Sequence, residues 1–423
     1  GWSHDRSGHL LAKVGLQSLT SYRQRNEMTA LKELRVLDMT QYEAGPSCTQ
    51  ALAWFGADVV KVEPPGRGDP GRGGDIVPQN YFLQWNSNKR SVAIDLTQEQ
   101  GRQLLLEMVP HYDVFVENYG PGVVDRLNLG YDVVREVNPS IIYASVKGFG
   151  STGPYADRKC FDGVAQAMAG AISITGRPDD EPLLPGPTTG DSGTGVQLGM
   201  AILAAYIQRL QTGDGQHVEI AMQEAMTYYM RTRMAMAPGW NDEPVSRIGN
   251  GSRAVNNLYP CKGGGANDYV MIMAITPKMW VNLCSAMGKP ELANDPRFVR
   301  SRDRLKNDDA LRSEISTWTQ SLTKQEVTKI LAAQDVPGGP VLDTNELLDD
   351  PHLKERGFIT TIEHPDRGEV PIMGWAPRLS ASSVDLVRAP DLGEHTAEIL
   401  RQDLQLSAEA IHDLVDKSII GGP

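Results

Sequence analysis

The sequence predicts an open α/β domain with a parallel sheet, followed by a smaller α+β unit. Three observations carry this. Before residue 150, short apolar runs rich in Val and Ile alternate four times with helix-period segments, the spacing of βαβ units. Near residue 240 a Pro/Gly stretch interrupts that rhythm, and a mixed strand and helix pattern replaces it. The chain has 423 residues, enough for two cores, and no apolar run reaches transmembrane length.

The elements follow in order. Residues 1–27 carry only Asp5 and Glu27 as acids and precede the first methionine, Met28; they read as a non-native or disordered extension. Leu34–Met39 is strand-like, Ala44-Gly45-Pro46 a turn, and Ser47–Phe55 a helix. Asp58–Glu63 is a buried strand ending at Pro64-Pro65, with a glycine-rich loop, Gly66–Gly74, after it. Ser91–Asp95 is a strand, Gln98–Val109 a helix, and Val114–Asn118 a strand broken by Pro121-Gly122. Tyr131–Val137 is a helix and Ile141–Val146 a strand. Ligands of such sheets bind beyond the carboxyl ends of the strands, here Gln41–Gly45, Pro64–Gly68, Asn118–Pro121 and Lys147–Gly150.

Further on, residues 196–211 form a helix that stops at Gly213-Asp214-Gly215. His217–Ala221 is a strand, Gln223–Met236 a helix, and Pro238–Pro244 a linker. Gly263-Gly264-Gly265 reads as a hairpin turn before strand Tyr269–Ile275. Helices run to Ala333 and Pro337–Pro340 closes the unit; short strands and a last helix occupy Glu346–Val415. The boundaries expected are a large domain over 28–225, a linker over 226–247, a small domain over 248–340, and a linker with a return to the large domain over 341–423.

Composition excludes several functions. The net charge of −12 argues against nucleic acid or an anionic membrane as partner. Cys48, Cys160, Cys261 and Cys284 are widely spaced, with no CxxC pair, which fits a reducing, cytoplasmic location without disulfides or zinc. The eight histidines are scattered, so no metal is expected. Gly66–Gly74 lacks the Gly-Lys-Ser/Thr ending of a P-loop, and no GxGxxG follows the first strand.

One stretch carries chemistry, Thr188-Thr189-Gly190-Asp191-Ser192-Gly193-Thr194-Gly195. It sets the Asp191 carboxylate in a Gly-flanked turn at a helix mouth, where the dipole favours the ionised form and a nucleophilic role. Asp before a helix is ordinarily an N-cap, and that reading stands beside the first. Lys147, Arg158 and Lys159 with Arg126 form either a basic pocket or solvated surface.

Seven motifs in order resemble one family. They are Glu43-Ala44-Gly45-Pro46, Val60-Lys61-Val62-Glu63-Pro64-Pro65-Gly66-Arg67-Gly68-Asp69, Asn86-Ser87-Asn88-Lys89-Arg90-Ser91, Glu117-Asn118-Tyr119-Gly120-Pro121-Gly122, Gly148-Phe149-Gly150-Ser151-Thr152-Gly153-Pro154, Gly190–Gly195 and Leu392-Gly393-Glu394-His395-Thr396. From about Leu31 onward the chain resembles the class III (CaiB/BaiF) coenzyme A transferases, most of all the branch that uses formyl-CoA and oxalate. The resemblance implies a Rossmann-like large domain built from both ends of the chain, a small central domain, and an interlocked homodimer. It implies coenzyme A thioesters and free carboxylic acids as substrates, with no permanently bound cofactor.

It also implies roles. Asp191 would be the nucleophile that forms an anhydride and then an aspartyl-CoA thioester, with Asp162 the second acidic residue. Backbone N–H groups near Gly190–Gly193 would serve the developing oxyanion. Glu43 stands where the oxalate branch has Gln, an added negative charge that would repel a small dianion. Coenzyme A would be held at Ala44, Ile94, Asp95, Leu96, Thr97, Asn118, Tyr119, Gly120, Arg126 and Lys159. Arg247 and Arg253 replace a glycine loop of that branch and are expected to hold the distal carboxylate of a longer dicarboxylic acid, with succinyl-CoA or a similar donor. Two alternatives share the fold. An α-methylacyl-CoA racemase needs a His where this chain has none between His111 and His217. A non-catalytic subunit paired with a paralogue would not need Asp191.

Overall fold

The computed structural model describes residues 29–74, 77–237 and 243–421. The 1–27 extension and most of the 238–244 linker therefore lie outside the described residues. The chain opens with β1 (Arg35–Asp38), α1 (Ala44–Ala53), β2 (Asp58–Glu63), α2 (Gln79–Asn86), β3 (Arg90–Ala93), α3 (Glu99–Met108) and β4 (Val114–Glu117). Next come α4 (Val123–Arg126), α5 (Tyr131–Val137), β5 (Ile142–Lys147), α6 (Asp162–Met168), α7 (Ser192–Thr212), β6 (Gln216–Ala221) and α8 (Met222–Tyr229).

The six strands make one sheet in the order β3-β2-β1-β4-β5-β6, with every neighbouring pair parallel. Alternate residues of each strand feed opposite faces. Leu37, Val60, Phe115 and Tyr143 pack with Leu105 of α3 on one side. Val36, Val59, Val114 and Ile142 pack with Leu52 of α1 and Leu198 of α7 on the other. Burial on both faces explains why these strands read as continuous apolar runs. The strand order reverses between β1 and β4, which opens a crevice beyond their carboxyl ends.

Three boundaries differ from expectation. Ala44-Gly45-Pro46 is the first turn of α1 rather than a turn before it. Pro is tolerated there because the first four N–H groups of a helix have no partner within it. Helix α7 begins at Ser192, so Gly193 and Gly195 are helical and not part of a flexible loop. The expected 223–236 helix breaks at Met230 into α8 and α9 (Arg231–Ala235).

A second compact unit comprises Gly170–Pro185 and Thr232–Arg356. It holds β7 (Asn256–Pro260), β8 (Tyr269–Met273), α10 (Pro277–Ala286), α11 (Ser301–Lys306), α12 (Asp308–Thr319), α13 (Lys324–Ala333), β9 (Gly338–Pro340), α14 (Thr344–Leu348) and α15 (Pro351–Glu355). Its antiparallel sheet runs β7-β8-β9, and its core gathers Val270, Ile272, Trp280, Phe298, Ile315 and Leu331. Gly263–Gly265 falls in the β7–β8 connection. The Pro337–Pro340 stretch supplies edge strand β9 instead of closing the unit; an edge tolerates Pro because one side of its ladder is unpaired.

The chain then returns to the first unit with hairpin β10 (Ile359–His364) and β11 (Gly368–Met373), then α16 (Thr396–Leu404) and α17 (Ala408–Asp416). Its docking is specific. His395 N–H donates to Ser91 O at 2.9 Å, Ala93 N–H to Thr396 Oγ1 at 3.0 Å, and Asp95 N–H to Ile419 O at 2.8 Å.

Candidate active site

Beyond β1 the chain runs through Thr40, Gln41, Tyr42 and Glu43 into α1, and buried charges hold this run in place. Lys61 Nζ donates to Thr40 O at 2.7 Å and pairs with Asp69 at 2.7 Å. Asp69 Oδ1 in turn accepts the N–H of Tyr42 at 3.1 Å. Tyr42 needs that support, because its φ of 61° is left-handed and costly for a side chain of its size. Deeper in, Lys89 Nζ lies 3.0 Å from Asp38 Oδ2, and both side chains are fully buried. Burial pushes Lys89 down to about 8. Burial also opposes the Asp38 charge, but Lys89, Lys61 and the hydroxyls of Thr40 and Thr49 outweigh it and hold the carboxyl at about 2.

The crevice between β1 and β4 is closed at its base by a reciprocal pair, Gln41 and Asn118. Above it lies a cavity of about 320 Å³. Tyr42, Ala44, Asn118, Tyr119, Gly120, Lys147, Arg158, Lys159, Cys160 and Asp191 are among its lining. Of the positions implied for coenzyme A, this brings together Ala44, Asn118, Tyr119, Gly120 and Lys159 with Asp191. Lys147, Arg158 and Lys159 line the same cavity, Arg158 and Lys159 while still exposed, whereas Arg126, exposed at the end of α4, does not line it. Lys147 is paired with Glu117 at 2.7 Å, and Arg158 lies over the Tyr155 ring at 4.0 Å. Burial, then the charges of Asp191 and Asp162, push the Cys160 thiol up to about 11, so it stays protonated at neutral pH.

Ile94, Asp95, Leu96 and Thr97 lie past the end of β3, outside that lining. The Ile94 side chain is fully buried in the core. Asp95 accepts from Thr97 N–H at 3.0 Å, Thr97 Oγ1 at 2.6 Å and Gln98 Nε2 at 3.0 Å, shaping the turn into α3. A second cavity of about 650 Å³ is lined by Asp125, Asp132, Asp157 and Glu219. Lys147 and His217 line it as well.

Asp191 holds the N-cap position of α7, yet its side chain makes no capping bond and its backbone is helical, with φ −86° and ψ −71°. The N-cap reading is thereby corrected. So is the oxyanion expectation. Gly190 and Asp191 N–H both donate to Asp162 Oδ1, at 2.8 and 3.2 Å. Ser192 and Gly193 N–H go to Thr188 O and Thr189 O, at 3.0 and 3.1 Å. Gln166 Nε2 secures Asp162 Oδ2 at 2.7 Å, so Asp162 acts as the clamp of the turn.

Helix α7 reaches the site by pressing on α1. A Cβ on Gly195 would stand 2.0 Å from Ser47 Oγ and 2.5 Å from Ala44 O. That approach puts the start of α7 beside Glu43, which is 2% exposed. Thr188 Oγ1 donates to Glu43 Oε1 at 2.5 Å, and Tyr81 OH donates to Oε2 at 3.2 Å. Burial pushes Glu43 above the ordinary carboxylate range; the hydroxyls of Thr188 and Tyr81 oppose this, and the Asp162 charge adds to it. Burial, then the charges of Glu43 and Asp162, push Asp191 up to about 7. Burial and the two neighbouring acids thus oppose the ionised form that the helix dipole was expected to favour.

The second unit uses Arg247 differently from expectation. Its guanidinium donates to Arg177 O at 2.9 Å, Ser173 O at 3.3 Å, Pro178 O at 3.3 Å and Asp180 O at 2.7 Å. Four of its five donors are spent fastening the 173–180 segment, which leaves little for a substrate carboxylate. Arg253 is exposed. Tyr81 and Thr188, both on Glu43, carried no sequence signal for that role; Tyr81 sits in a short helix without clear apolar periodicity.

Residues 31–396 match CoA-transferase family III. The formyl-CoA:oxalate CoA-transferase of Streptomyces avermitilis is 42% identical over 410 residues, 92% of this chain and 99% of that protein. That of Rhodopseudomonas palustris strain BisA53 is 39% identical over 418 residues, 93% and 98% of the two chains. A crystal structure of a CaiB/BaiF family protein from Brucella suis matches with a TM-score of 0.79 at 33% identity, covering 89% of this chain and all 100% of the other. A hypothetical protein from Mycobacterium tuberculosis matches at 0.76 and 30% identity, covering 88% and 99%.

Proposed function

The chain belongs to CoA-transferase family III, and from that premise we propose that it moves coenzyme A between two carboxylic acids with Asp191 as the nucleophile. The observation that carries this is the uncapped Asp191 carboxylate in a cavity walled by Lys147, Arg158 and Lys159. The carboxylate attacks the thioester carbonyl of the donor; the C–S bond breaks, leaving a mixed anhydride and the coenzyme A thiolate. The thiolate attacks the aspartyl carbonyl and releases the donor acid, leaving an aspartyl-CoA thioester. The acceptor carboxylate then runs both steps in reverse. Each intermediate hydrolyses in water, which accounts for a nucleophile largely withdrawn from solvent. Gly190 and Asp191 N–H serve Asp162, so stabilisation of the oxyanion falls to other donors of the cavity wall.

The formyl-CoA and oxalate pair for which the relatives are named is the first to test. Succinyl-CoA with a longer dicarboxylate is the second arm. A panel of acyl-CoAs and free acids, scored by exchange of coenzyme A, decides between them. Asp191→Asn and Asp191→Ala are expected to lose roughly 10⁴-fold or more in kcat with the fold intact; retention of about a tenth of the rate would reject the nucleophile.

We also propose a cytoplasmic homodimer with interlocked chains, or a hetero-oligomer with a paralogue. Helix α7 supports an assembly, since Val196, Met200, Ile207 and Leu210 form an exposed apolar row along it. Dilution to nanomolar concentration should leave an interlocked dimer whole; a folded monomer by mass photometry would contradict it.

A further inference from the structure

The start of α7 is fastened at two points. On one side, Asp162 Oδ1 accepts the N–H groups of Gly190 and Asp191. On the other, Thr188 uses both its backbone and its side chain. Thr188 O accepts from Asp191 N–H at 3.2 Å, Ser192 N–H at 3.0 Å and Ser192 Oγ at 2.9 Å, which closes the first turn of the helix. Thr188 lies on an exposed stretch, yet its Oγ1 is turned onto a buried carboxylate, donating to Glu43 Oε1 at 2.5 Å. Glu43 stands at the entry to α1, and its second oxygen takes the hydroxyl of Tyr81 from α2 at 3.2 Å. One carboxylate thereby joins α1, α2 and the start of α7. Hydrogen bonds to an ionised acceptor are shorter and stronger than neutral ones, which suits a joint of this kind. Among the described residues, those lining the 320 Å³ cavity include Asp191 but not Glu43, so the joint sits behind the site. Asp191 has no capping bond from its own side chain, and the direction of its carboxylate follows from the backbone that Asp162 and Thr188 hold.

We propose that Thr188 is a positioning residue for the transfer reaction: it ties the start of α7 to the entry of α1 through Glu43, and so holds Asp191 in the attitude from which it attacks. The proposal rests on Asp191 being the nucleophile. The Thr188 hydroxyl is spent on Glu43 and is not offered to the thioester or to the acid. A misplacement of about 1 Å costs a reacting group roughly 100-fold in rate. One hydrogen bond at this joint therefore matters more to turnover than to stability.

Thr188→Val keeps the shape of the side chain and removes the donor. Its kcat is expected to fall about 10- to 100-fold. KM for the acyl-CoA, KM for the acceptor acid and the melting temperature should stay close to wild type. Thr188→Ser restores the hydroxyl and should recover most of the rate. Glu43→Gln keeps an acceptor but gives up the charge-assisted bond, so Thr188→Val should cost much less in that background than alone. A Thr188→Val enzyme with wild-type kcat would overturn the proposal. So would equal losses in Thr188→Val and Thr188→Ser, because the hydroxyl would then not be what matters. A loss confined to KM would also overturn it, since that places Thr188 against the substrate instead. Asp191→Asn, assayed beside them, separates the two readings. If it is inactive while Thr188→Val turns over at full rate, only the positioning role falls. If Asp191→Asn itself turns over, the nucleophile and the positioning role fall together.

Discussion

Asn118 and Gln41 hold each other across the point where the sheet reverses direction. Asn118 Oδ1 accepts the Gln41 N–H at 2.8 Å, and Asn118 Nδ2 donates to Gln41 O at 2.8 Å. One side chain thus replaces the ladder that β1 and β4 no longer make beyond their ends. Asn118→Ala removes both bonds and should raise the KM for acyl-CoA about tenfold or more, with a smaller change in kcat. Asn118→Asp keeps the acceptor and loses the donor, so it should fall between. Steady-state kinetics with the thioester varied would show this; a pure kcat loss would place the pair in the chemistry instead.

Gly195 tests whether the approach of α7 to α1 sets the position of Asp191, the proposed nucleophile. Gly195→Ala puts a methyl group against Ser47 Oγ and Ala44 O and should cost about 1–3 kcal/mol or more in stability. Activity should fall further than stability, because Asp191 and Glu43 are displaced together. Gly213→Ala is the control. Gly213 has φ 83° with nothing within 4 Å of a Cβ, so strain of about 1 kcal/mol is expected with turnover unchanged. Equal loss of activity in both would refute the reasoning.

Asp38 and Lys89 form a buried ion pair, and removing one partner strands the other. Asp38→Ala or Lys89→Met should destabilise by about 3–5 kcal/mol, while the double replacement by apolar residues should cost less than the sum. The pH dependence has a definite sign. Asp38 is held at about 2, below its ordinary value of 3.8, so its contribution is present above 3.8 and lost as pH falls toward about 2. Chemical denaturation across that acid range, compared with Asp38→Asn, measures it.

Asp191, the proposed nucleophile, is expected to burden the fold. Asp191 is raised from 3.8 to about 7, so the native state holds its proton more tightly than the unfolded chain does. Its stabilising contribution is therefore full below 3.8 and is lost as pH rises through about 7. Asp191→Asn should consequently be more stable than wild type by about 1–3 kcal/mol at and above neutral pH, with the difference vanishing in acid. Melting temperatures on either side of that window would show the crossover.

Much of this molecule was legible from its residues. The parallel strands announced themselves as β-branched runs because the sheet is covered on both faces. Asp191 stood out because glycines crowd it, although Gly195 serves helix packing and not a loop. What stayed hidden depended on partners far away in sequence. The clamp on the Gly190 N–H comes from Asp162, 28 positions upstream, and Tyr81 meets Glu43 across 38. Arg247 misled because its partners are backbone carbonyls, which leave no trace in residue type. Helix α2, Gln79–Asn86, mixes amides and aromatics without a clear period, and it was found only through its packing with Val370 and Ile372.

The return of the chain to β3 has a consequence for biosynthesis. A protein is made from one end, and the strand next to the sheet's border is finished by residues about three hundred positions later, with Ser91 joined to His395 and Ile94 bridged to Ile420. Until those residues emerge, a nascent chain carries β3 with an open border and Arg35 without Asp403. Contacts this distant in sequence form slowly, and an unpaired strand border recruits other chains. The large unit is therefore exposed to aggregation until residues 391–420 have been made, and stalling within residues 357–420 should be more damaging to its solubility than stalling inside the second unit's helices is to that unit.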